Sequence, residues 1–138
     1  MKIALISIIA IVAAVGGFLV ISEPATTTVS ESEDVSSQTT QYSDIAREVA
    51  EGTATLIDTR TPEEFAEGHA PDAELFSLQR LQAGELPEAS KEEKIYVYCR
   101  SGNRSAEAAA ILTQAGFENV VDLGGLTDIQ ALGATLVR

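Results

Sequence analysis

From Ser43 onward, short apolar runs alternate with segments patterned as helices, and glycine or polar turns separate them. No other feature limits the possible folds as much. "SDIAREVA" reads as a helix, with Ser43 as its expected N-cap and Gly52 as its stop. "ATLIDT" reads as a buried strand. "TPEEFAEG" carries a full set of helix signals. Thr61 can cap it, Pro62 suits its first position, Glu64 completes a capping box and Gly68 ends it. "AELF" is a short strand candidate, and "SLQRLQAGEL" is weakly helical. "KIYVYC" is rich in aromatic and β-branched residues, as strands are. "RSAEAAAILTQAG" is a helix ending at Gly116, "ENVVDL" another strand, and "TDIQALG" a short helix after the turn "GGL". This order predicts an α/β domain, in which a parallel sheet is covered by helices on both faces.

The N-terminus is of a different kind. After Met1 and Lys2 no charge occurs from Ile3 to Ile21, a run long enough to cross ~30 Å of hydrocarbon as a helix. A secretory core is shorter, so the run reads as a transmembrane anchor, with a signal peptide cut near Ala14-Val15-Gly16 as the alternative. Residues 23–41 are rich in Ser, Thr and acid and offer little to bury, which predicts a disordered linker. The domain is then expected over 42–138. Lys2 on the near flank, and the absence of Lys and Arg just beyond the run, predict a domain outside the cytoplasm. The expected location is the periplasmic or extracellular face, with membrane contact only through the N-terminal segment. Composition excludes another class of partner. With 21 acids against 9 bases and a formal charge of −12, the chain lacks the basic clusters that nucleic acid requires.

The only cysteine, Cys99, ends the strand "KIYVYC", and "RSGN" links it to a helix that begins near Arg104. In open α/β sheets ligands bind beyond the carboxyl ends of strands. Gly102 permits a tight curve, and the amides from Arg100 through Ser101, Gly102 and Asn103 to Arg104 can form an anion-binding nest beside a helix N-terminus. Arg100 and Arg104 add charge, and Ser101 and Ser105 add hydroxyl donors. Such a setting favours thiolate. Cys99 is the expected nucleophile, and residues 100–104 the expected substrate cradle. The structural alternative is a buried strand cysteine with solvated arginines.

Two stretches carry a family resemblance. "YCRSGNRSAEAAAILTQAGFENVVDLGGL" and "LIDTRTPEEFAEGHAPDAELF" resemble the active-site loop and the first strand and turn of single-domain rhodaneses, across about Ser43 to Gly133. The resemblance implies a rhodanese-like α/β fold around a five-stranded parallel sheet, with no metal and no organic cofactor. It implies sulfur transfer by double displacement. Cys99 takes the outer sulfur of a small anionic donor such as thiosulfate, becomes a persulfide, and passes that sulfur to cyanide or a thiol, including the thiol of an envelope protein. The chain departs from the family at "HAPDA", where Asp72 stands for a glycine, and at Ile129, which stands for a tryptophan.

Other functions fit parts of the pattern. A phosphatase or arsenate reductase on the same fold would also use a cysteine, a nest and an arginine, but with a loop one residue longer. A sulfur relay or binding module without turnover of its own is a further alternative. His69, the only histidine, is expected in a structural turn, and Asp58 with Arg60 as a surface or edge ion pair of small energetic weight.

Overall fold

The computed structural model describes residues 40–138. The expected anchor at 1–22, and the expected linker up to residue 39, lie outside the described residues. Among those described, no helix is long and apolar enough to cross a membrane.

Among the described residues nine elements follow in chain order: α1 (Tyr42–Ala50), β1 (Ala54–Asp58), α2 (Pro62–Glu67), β2 (Glu74–Leu75), α3 (Leu78–Gln82), β3 (Lys94–Tyr98), α4 (Asn103–Gln114), β4 (Asn119–Asp122) and α5 (Leu126–Ala131). The sheet is parallel throughout, in the order β2-β1-β3-β4. Among the described residues it has four strands, where the family resemblance implied five. The described chain opens on a helix, not a strand. Tyr42 and Ile45 bury themselves against the sheet face, so this segment packs on the sheet and does not extend it.

Alternation along the strands divides the core in two, because successive side chains point to opposite faces. Leu56, Tyr96 and Tyr98 face α1 and α5, where Ile45 and Ile129 are fully buried. Ile57, Ile95 and Val97 face α3 and α4, meeting Leu81, Ala108 and Leu112. Each fully buried aliphatic side chain stabilises the fold by about 1.5–3 kcal/mol. Ile129, which stands where the resembled family has a tryptophan, is fully buried. The strand read from "ENVVDL" is not buried on both faces: β4 is the sheet edge, and Val121 is exposed.

Helix starts follow the sequence in one case and depart from it in another. Thr61 caps α2: its Oγ1 accepts the Glu64 N–H at 3.3 Å, and Glu64 Oε2 accepts the Thr61 N–H at 3.1 Å. At α1 the N-cap is Gln41, not Ser43. The Tyr42 N–H donates to the Leu132 carbonyl at 2.8 Å and its hydroxyl to Pro71, so tertiary contacts draw the helix start two residues back. Asp72 takes a left-handed backbone, φ 61°, as its short polar side chain allows.

Register sets up the site. Asp58 lies opposite Tyr98, so the carboxyl ends of β1 and β3 are level. The Thr59 N–H and hydroxyl both donate to the Tyr98 carbonyl at 3.0 Å, which fixes the segments that leave these two ends.

Candidate active site

Cys99 follows the last residue of β3 and is fully buried as a residue. Its N–H donates to the Gly124 carbonyl at 3.0 Å, continuing the pairing beyond β4. The chain then turns through Arg100, Ser101 and Gly102 into α4. Gly102 is the N-cap of α4 with φ 93°, a left-handed conformation that glycine adopts without strain. Having no side chain, this cap occupies none of the free N–H groups at the helix start. The Gly102 N–H donates to the Cys99 sulfur at 3.0 Å.

Burial alone would push the Cys99 thiol up. The amides of Ser105, Ser101 and Gly102 and the Ser105 hydroxyl outweigh it, so the thiol lies below its usual range. The cause differs in part from that expected from sequence. Backbone donors and Ser105 lead in stabilising the thiolate, and Arg104 adds to them through its charge.

The loop has a rear wall. The Leu126 N–H donates to the Arg100 carbonyl at 3.2 Å, and Ser101 pairs with Gly125. Ser105 Oγ lies 2.9 Å from the Gly102 carbonyl and 3.2 Å from that of Gly124. A side chain at Gly125 would place its Cβ 2.7 Å from the Arg100 oxygen. Gly124 and Gly125, which the sequence shows only as a turn, are thus the surface against which the cysteine loop is moulded. Their adjacency was the available signal; their distance from Cys99 was not legible.

The sequence-derived residues are brought together in different ways. Ser101, Gly102 and Ser105 surround the sulfur. Asn103 opens α4 with an exposed side chain, and Arg100 is exposed. Arg104 is half-buried and pairs with Glu64 of α2 at two points, Nη1 to Oε2 at 2.7 Å and Nη2 to Oε1 at 2.8 Å. Hydrogen bonds from Arg104 hold the Glu64 carboxyl down at about 2. Glu64 was legible as a cap, not as a partner of the loop.

Asp58 and Arg60 form a buried pair, which corrects the expectation of a surface or edge contact. Arg60 Nε lies 3.0 and 2.9 Å from the two Asp58 oxygens, and Nη2 lies 2.6 Å from Oδ2. Arg60 Nη2 also donates to the Gly68 carbonyl at 2.7 Å. The pair ties the end of β1 to the turn after α2. There the His69 ring stacks on Phe65 with centroids 3.7 Å apart, and its backbone pairs with Val137. This is the structural turn role expected for His69. Among the described residues no group of His, Cys, Asp and Glu could hold a metal ion.

Cys99 thus lies buried beyond the carboxyl end of β3 in a parallel sheet, with the Gly102 amide on its sulfur. The sequence pattern of the rhodanese-like domain matches residues 42–132, and the chain belongs to that family. It is 40% identical over 70 residues to a sulfurtransferase of Allochromatium vinosum, covering 51% of this chain and 64% of that protein. It is 34% identical over 76 residues to the thiosulfate sulfurtransferase PspE of Escherichia coli, covering 53% and 71%. An uncharacterized Synechocystis protein matches at 38% identity, and the chain spans 46% of its length. Among solved structures, a rhodanese-like domain from Anabaena sp. superposes with a TM-score of 0.55 at 29% identity, covering 61% of this chain and 98% of that one. A rhodanese with anions from Escherichia coli gives 0.52 at 29%, covering 62% and 98%.

Proposed function

We propose that this protein is a sulfurtransferase whose nucleophile is Cys99. The observation that carries the reading is the Gly102 N–H on the Cys99 sulfur, within a ring of donors that favours the thiolate. Relatives named as sulfurtransferases, one of them a thiosulfate sulfurtransferase, support the reaction class.

The thiolate attacks the outer sulfur of thiosulfate. The S–S bond breaks, sulfite leaves with the bonding electron pair, and Cys99 becomes an anionic persulfide. The amides of Ser101, Gly102 and Ser105 that serve the thiolate are placed to serve the persulfide, since both are anions at the same helix start. A thiol or cyanide acceptor then attacks the outer sulfur, and the Cys99 thiolate is restored. Arg100, exposed at the loop, attracts the anionic donor, while Asn103 and Arg104 complete the cradle.

Mass spectrometry of the protein after thiosulfate treatment tests the reading. It expects a gain of one sulfur atom on the peptide containing Cys99. No gain, with hydrolysis of an aryl phosphate instead, would assign the site to phosphoryl chemistry.

The proposed arrangement in the cell is an envelope enzyme. Residues 1–22 anchor it, 23–41 tether it, and the domain faces the periplasm or exterior. The uncharged run behind Lys2 supports this. Protease added to spheroplasts should digest the domain; protection until lysis would reverse the orientation.

A further inference from the structure

Three arginines stand near Cys99 in sequence or space, and carboxylates neutralise two of them. Arg60 is held by Asp58 in the buried pair. Arg104 is held by Glu64, and only Arg100 is left exposed without a carboxylate partner among the described residues. The Glu64 carboxylate cannot drift with the arginine it holds. Its Oε2 also accepts the Thr61 N–H, so the helix cap of α2 anchors it. The hydrogen bonds to Glu64 raise the Arg104 guanidinium pKa first of all, and the charge of the nearby Cys99 thiolate adds to the rise. A free Arg104 would therefore attract an anion approaching the sulfur, and the paired Arg104 does so much less.

The geometry points to Glu64 as a specificity-determining, positioning residue: by holding Arg104 in a closed two-point pair beside the cysteine loop, it weakens the use of dianionic sulfur donors relative to donors of lower charge. The inference rests on the sulfurtransferase reading above. It concerns two reactions that end in the same Cys99 persulfide. Thiosulfate brings two negative charges and releases sulfite. An alkyl persulfide brings one charge at most: Cys99 attacks its outer sulfur, the S–S bond breaks, and the alkyl thiolate leaves and takes up a proton. The opposing field of Glu64 acts on the first donor more than on the second.

The test compares thiosulfate with 2-hydroxyethyl persulfide as donors to the full-length protein, through kcat and KM for each. Glu64→Gln removes the charge and keeps a side chain suited to the capping box. The ratio of thiosulfate to persulfide kcat/KM should rise about tenfold in this variant, chiefly through a lower KM for thiosulfate. The rise should be smaller when Arg104→Ala is also present, because only with Arg104 in place does the loss of the Glu64 charge release a guanidinium to the donor. A merely structural Glu64 would move both donors together. An unchanged ratio with sulfur still loading on Cys99, or the same rise without Arg104, would overturn the inference. Should Glu64→Gln fail to fold, the unmodified protein decides. Thiosulfate use that increases with ionic strength supports a neutralised loop in an acidic domain, and a steep decrease overturns it. No sulfur gain from either donor in the unmodified protein would instead overturn the sulfurtransferase reading, and this inference with it.

Discussion

Arg104 in the first turn of α4 and Glu64 in the first turn of α2 meet in a two-point ion pair, although forty positions separate them. The pair joins the helix that carries the cysteine loop to the helix that follows β1. It makes the charge around Cys99 a property of two helices rather than of one loop. Several consequences can be measured.

Cys99→Ser should reduce sulfur transfer from thiosulfate to cyanide by at least about 10³-fold, since a hydroxyl is a weak nucleophile and forms no persulfide. The fold should survive, because the serine oxygen can still accept the Gly102 N–H. Substantial turnover by this variant would end the covalent mechanism.

Arg104→Ala should lower thiosulfate kcat/KM by about 10–100-fold. The loss combines a missing donor with a half-buried Glu64 left unpaired beside the thiolate. Arg100→Ala should mainly raise KM and make thiosulfate use rise more steeply with salt, because Arg100 is exposed and its attraction no longer offsets the acidic domain. Kinetics across ionic strength separates the two patterns; matching profiles would mean that the arginines act alike.

Gly125→Ala should destabilise the domain by about 1–3 kcal/mol and disturb the loop, since the new Cβ would meet the Arg100 carbonyl at 2.7 Å. Denaturant unfolding gives the first quantity, and the rate of Cys99 alkylation against pH gives the second. A variant with unchanged stability and thiol titration would show that the rear wall yields freely.

Arg60→Met should cost about 3–5 kcal/mol, because it leaves the Asp58 carboxylate buried without its partner. Urea unfolding checks this. A loss below about 1 kcal/mol, typical of an exposed pair, would contradict the burial.

Glu64 also gives a pH signature. Its folded pKa is depressed to about 2 from a usual value of 4.5. Such a group contributes stability that is fully present above the unfolded pKa and is lost as pH falls through the folded one. The stability difference between the natural protein and Glu64→Gln should therefore be constant above about pH 5.5 and shrink toward pH 2. Exposure of the pair keeps the effect modest. A difference that stays flat to pH 2 would show that the ion pair contributes nothing.

The alternation of runs from Ser43 onward determined the α/β class, because strand and helix periods are local properties of neighbouring residues. The placement of Cys99 between a strand and a glycine turn likewise identified the loop. Sequence did not show the strand order that leaves β4 exposed at an edge. It did not show that Gly125 lies against Arg100, that Asp58 and Arg60 are buried, or that Glu64 faces Arg104. Each of these depends on packing between segments distant in the chain, where proximity, not residue type, sets burial and charge. Local pattern could place two arginines near the thiol; only the tertiary structure decided that a carboxylate from another helix holds one of them.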